Sequence, residues 1–123
     1  MTKNSAVLVG FVGREPRFIE KSGSLRATVA LATRDRWTEG ECAKEQTNWH
    51  AVALEGDLAK IVRDHVRLGS AIFVSGPIVS REYLDATGWH KDWEIRATEV
   101  FVLDPRSLAG EDKPRLPPAP GES

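Results

Sequence analysis

The 123 residues predict an all-β domain carrying a single helix. Three observations lead there: apolar residues come in short β-branched blocks, clusters of glycine, proline and polar residues separate the blocks, and only one segment keeps helical spacing. With 41% apolar residues over this length, the chain can build one domain with a real core, and a second domain is not expected.

The blocks SAVLVGFVG (residues 5–13), SLRATVALAT (24–33) and NWHAVALE (48–55) read as strands, bounded by GREP, by KSGS and by a long polar loop. DLAKIVRDHVRLG (57–69) differs. Leu58, Ile61, Val62 and Val66 recur at helical spacing, Asp57 stands where an N-cap belongs, and Gly69 where a left-handed C-terminal residue belongs. A helix of about three turns follows from that pattern. Next, SAIFVSGPIVSREYL (70–84) is a strand bent at Gly76 and Pro77, DATGWHK (85–91) a turn and WEIRATEVFVL (93–103) a last strand.

The resulting order, β-β-β-α-β-β, is that of a five-stranded OB-fold barrel, a small Greek-key architecture that binds oligonucleotides on one face. A two-layer α+β sandwich shares the order. Gly10, Gly13, Gly76 and the Gly-Pro bend favour the barrel, because strongly curved strands need such positions. Beyond Asp104 there are five prolines in nineteen residues, with only Leu108 and Leu116 as sizeable apolar groups. Such a segment buries too little to offset its ordering entropy. The expected organisation is a domain over residues 1–104 and a disordered, Pro-rich C-terminal tail over 105–123, in which PRLPPAP reads as linker.

A formal net charge of −1 gives no global positive field, although a local groove of one sign remains open. Cys42 is the only cysteine, so an internal disulfide is excluded, and no Cys or His pair has metal-ligand spacing. The apolar run before Arg14 is too short for a signal segment or a membrane span. The expectation is a soluble cytoplasmic protein with no membrane partner, no metal and no cofactor. No nucleophile, base or metal constellation suggests an enzyme, and Cys42 has no neighbouring histidine to activate it.

Two of the four tryptophans sit among polar residues: Trp37 between Arg36 and Thr38, and Trp49 between Asn48 and His50. Alternation puts His50, Val52 and Leu54 on the apolar side of their strand, so Trp49 points outward with Ala51, Ala53 and Glu55. In the preceding strand Leu25, Ala27, Val29 and Leu31 face in, and Arg26, Thr28, Ala30, Ala32 and Arg34 face out. The outer face is then a floor of small residues with basic edges, beside which Arg34, Arg36 and Trp37 can rise from the loop. Val79, Arg81 and Tyr83 share one side of the fourth strand. Rings flanked by cations suit single-stranded nucleic acid, in which bases stack and phosphates need positive charge. The competing reading folds Trp37 and Trp49 under the loop as a satellite cluster.

At the last turn, Trp89 and Lys91 are placed as a finger toward DNA, while Trp93 shares parity with Ile95 and Ala97 and reads as barrel-end packing. Lys3 and Arg26 complete the candidate single-stranded DNA contacts, with Trp37, Trp49, Tyr83, Arg34, Arg36, Arg81, Trp89 and Lys91. His50 reads as a core or subunit-contact histidine, and His65 as a solvent-edge residue of the helix.

The blocks VLVGFVGREP, LATRDRW, TNWHAVALEGDLAKIV, LGSAIFVSGPI and EIRATEVFVL resemble, in order and spacing, the bacterial single-stranded DNA-binding protein (SSB) family over residues 5–103. The resemblance implies an OB-fold, a homotetramer, a nucleoid-associated location, and sequence-independent coating of single-stranded DNA in replication, recombination and repair. It also implies that Trp37, Trp49 and Tyr83 stand where the family keeps its base-stacking aromatics. The sequence departs from the family pattern as well. Glu55 falls where many members carry a stacking Phe, and Ala51, Asp57 and Glu82 fall where Arg or Lys is common. The chain stops at PAPGES, without the acidic, apolar tip that recruits replication and repair enzymes, so protein contacts by that route are in question. These departures keep a second function open: an SSB-like accessory module with weakened DNA affinity that acts through protein contacts.

Overall fold

A computed structural model describes residues 2–103, and the expected domain end at 104 and the tail after it lie outside the described residues. In chain order the elements are β1 (Ala6–Val12), β2 (Arg17–Lys21), β3 (Ser24–Glu39), β4 (Cys42–Glu55), α1 (Asp57–His65), β5 (Ala71–Gly76), β6 (Ile78–Asp85), β7 (Gly88–Arg96) and β8 (Glu99–Leu103). The class is the one the sequence predicts, β with one helix. The strand count is higher because the expected fourth strand divides at Pro77 into β5 and β6, the fifth divides at Ala97 and Thr98 into β7 and β8, and β2 is additional.

The largest departure is the long polar loop, which is not a loop. β3 and β4 stay paired from Arg26↔Glu55 to Glu39↔Cys42, so residues 34–47 form an antiparallel arm. Polar residues fit there because the arm leaves the barrel and exposes both faces, which removes the apolar alternation that marks a half-buried strand. Gly40, with φ 60°, sits first in the two-residue connection, where a positive φ matches the hairpin twist. The connection from β2 to β3 uses Ser22 (φ 53°) and Gly23 (φ 78°), both left-handed as a type I′ turn requires.

The sheet order is β6-β7-β4-β3-β1-β5-β8, with β2 paired to β3. Its two end strands continue strands inside the path, β6 following β5 and β8 following β7, and this rolls the sheet into a barrel. At the seam Arg96 N donates to Pro77 O (2.9 Å), Ala97 N to Ala53 O (2.9 Å) and Thr98 N to Ser75 O (2.7 Å). Gly76 makes that approach possible: a Cβ there would lie 2.1 Å from the Arg96 carbonyl oxygen. Inside, Leu31, Leu54, Ile72, Val29, Val52 and Val74 are fully buried, and α1 closes one end with Ala59 and Val62.

The helix is shorter than expected and capped differently. Gly56 is the N-cap, with φ 64° and its N–H bonded to Leu25 O (2.9 Å), so Asp57 lies in the first turn, where its charge complements the helix dipole. The backbone becomes extended at Val66, whose side chain is buried. Gly69 does take a positive φ (91°), but in the turn into β5, where its N–H bonds Val12 O (2.8 Å).

Gly76→Ala should destabilise the barrel by about 1–3 kcal/mol, the usual cost of forcing extra volume into a packed site. Urea unfolding followed by circular dichroism measures it, and an unchanged midpoint would show that the seam relaxes freely.

Candidate nucleic-acid interface

The outer surface of β2, β3, β4 and β7 is built in rows. Arg17 pairs with Thr28, Thr28 with Ala53 and Ala53 with Arg96, giving a row of two small residues with an arginine at each end. The next rows on the same side are Ala30 with Ala51 and Ala32 with Trp49. Directly opposed residues of an antiparallel pair point the same way, so Trp49 stands at one end of this small-residue floor. Its indole rests on the backbone of Gly13, where an added Cβ would meet the ring at 2.1 Å. Trp49 is half-buried and belongs to no satellite cluster under a loop.

Arg34 and Arg36 lie on the Trp49 side of the arm, paired with Thr47 and Glu45, whereas Trp37 pairs with Lys44. In an extended strand neighbouring side chains alternate, so Trp37 turns to the opposite side from the two arginines it was expected to join. It is 42% exposed and lines a cleft with Arg36, Lys44 and Glu45.

Residues 85–91 are also more regular than a turn. Ala86 and Thr87 form the bend, Asp85 accepts hydrogen bonds from Thr87 N (2.8 Å) and Oγ1 (2.6 Å), and β7 resumes at Gly88. Trp89 pairs with Leu84 near the tip and Lys91 with Glu82 two pairs below, so both belong to a strand. On the other side Tyr83 stacks on His90 (centroids 5.2 Å apart), and the Arg81 guanidinium lies 5.8 Å from the Tyr83 centroid. Lys3 is exposed next to Asn4, whose amide holds the N-terminal segment on β6 through Ile78 O (2.7 Å) and Ile78 N (2.9 Å).

The tryptophan expected to pack is exposed instead. Trp93 shares parity with buried Ile95 and Ala97, yet it is 60% accessible. β7 is paired with β4 only at Ile95 and Arg96, so at Trp93 the strand has left the barrel wall and its inner side faces an open cleft. Trp93 lines that cleft, about 280 Å³, with Trp49, Ala51, Thr28, Arg14 and Arg17. The sequence reading missed Trp93, Arg14 and Arg17. Arg14 falls in GREP, which reads as a boundary, and only the pairing of Arg17 with Thr28 brings Arg17 to this face.

Most of the arginines are held by carboxylates. Arg26 Nη2 donates to both oxygens of Glu94 (3.0 and 3.3 Å) and Nη1 lies 3.6 Å from Glu55. Because β4 runs between β3 and β7, the Arg26–Glu94 pair crosses it, and outward-facing Ala53 is buried as a result. Glu45 takes both Arg34 and Arg36, the latter at 3.7 Å, and Asp92 takes Arg81 at 3.6 Å. His50 is hydrogen-bonded to Thr33 Oγ1 (2.9 Å). Burial pushes the His50 pKa below its ordinary value, against the Asp35 carboxylate, which pulls it up, so the imidazole is neutral at neutral pH.

Gly13→Ala should drive the Trp49 ring off the floor. Oligo-dT affinity should fall by roughly 1–3 kcal/mol, the worth of one stacked base, with circular dichroism unaltered. Wild-type affinity in that variant would show that Trp49 is no platform.

The model of the single-strand binding protein family matches residues 3–103. A Plasmodium falciparum SSB in complex with ssDNA matches with a TM-score of 0.79 at 24% identity, over 85% of this chain and 97% of that one. A deletion mutant of the single-stranded DNA binding protein from Thermus aquaticus matches with a TM-score of 0.76 at 24% identity, over 85% of this chain and 52% of that one. With a family match that spans nearly all the described residues and a barrel of the same fold, the chain belongs to the single-strand binding protein family.

Proposed function

We propose that this protein coats single-stranded DNA without sequence preference, stacking bases on the rings of its two arms and placing phosphates beside the cations between them. One observation carries this reading: Trp37, Tyr83, Trp89 and Trp93 are all exposed, on both sides of the β3–β4 and β6–β7 hairpins that flank the small-residue floor. A folding chain normally buries such area, and here the rings stand beside Arg81, Lys44 and Lys91. Stacking is indifferent to base identity because every base has a π-face, and a duplex hides its faces. Replication, recombination and repair in the cytoplasm are the settings in which such coating is needed.

A second reading has its own support. Since Arg26, Arg34, Arg36 and Arg81 are already paired with carboxylates, phosphate has to displace a charge to reach them, which suits an accessory protein of lowered affinity. Titration with oligo-dT at several salt concentrations separates the two. Tryptophan emission should fall on binding, duplex should compete poorly, and log K should decline with log salt by roughly 0.7 per phosphate contacted. Glu45→Gln removes the carboxylate that Arg34 and Arg36 share and should tighten binding and steepen that decline by roughly 0.7 for each arginine that gains a phosphate. Equal affinity for duplex would refute base stacking, and an unchanged slope in Glu45→Gln would remove these arginines from the interface.

The homotetramer is part of the same proposal. On the outer face of β1, β5 and β8, Val9 pairs with Phe73 and Phe73 with Phe101, whose rings lie 5.7 Å apart, and Val7, Val9 and Phe101 are exposed. Beside them, residues 6–10 of β1 pair only with β5, leaving one strand edge open among the described residues. An open edge next to an apolar face is what self-association covers. Light scattering should give four times the chain mass, and Val9→Glu should lower it. A monomer mass in the wild type would overturn the assembly.

A further inference from the structure

We propose that Glu94 is a positioning residue for strand binding: its ion pair with Arg26 ties the β6–β7 arm to the floor, and a phosphate that takes Arg26 releases the arm. The proposal rests on the single-stranded DNA reading above and adds a moving part to it.

The pair stands where the arm leaves the barrel. Glu94 is the last residue of β7 before Ile95, the first that pairs with β4, and it still pairs with Val79 of β6. Its partner lies on β3, two strands away, so the bridge crosses two inter-strand steps, about 10 Å of sheet. Long side chains at both ends and a small one between them make that span. Arg26 and Glu94 meet above Ala53, which is buried although it points outward. Further along the arm, Arg81 pairs with Asp92 and Asp85 with His90; both pairs join β6 to β7 and do not fix the angle of the arm to the floor.

The tie is firm and yet exchangeable. With 14% of its side chain exposed, Glu94 is the least solvated carboxylate among the ion pairs of the described residues, so salt screens it less than Glu45 or Asp92. Each partner also has a substitute. Arg96 Nη2 lies 3.8 Å from Glu94, and Glu55 lies 3.6 Å from Arg26. Breaking a buried pair is costly when it strands a charge; here Glu94 passes to Arg96. A phosphate is the anion suited to force the exchange, because Arg26 shares the outward side of β3 with Thr28 and Ala30 and because its binding to a strand also frees condensed counterions. By linkage, phosphate binding that loosens the arm means that loosening the arm strengthens phosphate binding by the same factor.

The test uses the full chain. Glu94→Gln keeps the side-chain shape and removes the charge. It should bind oligo-dT roughly fivefold more tightly at about 0.1 M salt, the worth of one added contact at a slope of roughly 0.7. In an Arg26→Gln background the same substitution should lose most of that gain. Amide exchange at Arg96 and Ala97, whose N–H groups close the root of the arm on Pro77 O and Ala53 O, gives the second readout. Exchange should be faster in free Glu94→Gln and in free Arg26→Gln than in free wild type, and the difference between wild type and Glu94→Gln should vanish when both are saturated with oligo-dT. An equal gain in the Arg26→Gln background would make Glu94 a plain repeller of phosphate and overturn the latch. Wild-type exchange in both free variants would overturn it as well, with single-strand binding left standing. Failure of the wild type to bind oligo-dT would overturn the reading of the whole face and the latch with it.

Discussion

Closure of the barrel depends on two residue pairs, Val52 with Ile95 and Ala53 with Arg96, where β7 runs parallel to β4. That contact seals the core beside Val52 and Leu54, and the neighbouring seam tolerates no side chain at Gly76. Its brevity matters as much as its presence. Before Ile95, β7 is free of β4 and pairs only with β6, so the hairpin swings outward and opens the space between Trp49 and Trp93. A longer parallel pairing would extend the wall, bury Trp93 as its parity suggests and leave no cleft. Fold and site are therefore set by the same few hydrogen bonds.

On the open face, magnitudes decide which interaction dominates. Exposed ion pairs are worth about 0–1 kcal/mol each, so the carboxylates on Arg34, Arg36 and Arg81 orient the guanidiniums without holding them strongly. Base stacking is worth roughly 1–3 kcal/mol per base. With a net charge of −1 and its arginines largely compensated, the chain has little long-range attraction to offer a polyanion. In the proposed mode of binding, rings would set the affinity and cations would set where the backbone lies. That balance would also work against duplex, which presents phosphates and hides its base faces.

The barrel was legible in the sequence because its strands are half-buried and alternate. Val29 and Leu31, then Val52 and Leu54, announce the inner face, and Trp49 falls opposite them. Both arms were illegible for the converse reason. Residues 35–46 are exposed on both faces and 85–91 largely so, and no period-2 apolar pattern distinguishes strand from loop there, so the register that turns Trp37 away from Arg36 could not be read. Trp93 was misjudged because parity describes a strand's side and says nothing about whether a neighbouring strand is there to cover it. β2 was missed since Arg17, Phe18, Ile19, Glu20 and Lys21 are all exposed and carry no burial signal.

The two outward faces of the barrel are chemically distinct and use different strands. β1, β5 and β8 present Val9, Phe73 and Phe101, while β2, β3, β4 and β7 present small residues, arginines and indoles. They meet where Phe11 of β1 pairs with Ala32 of β3, along a cleft lined by Val9, Phe11, Arg34 and Arg36. Copies joined through the apolar face would keep every indole open to DNA and would bring the root of each β3–β4 arm beside a neighbour. An arm whose inner end abuts another subunit can pass a strand from one copy to the next. In such an assembly, coating a longer strand would need no new contact chemistry, only the repetition of this face by symmetry.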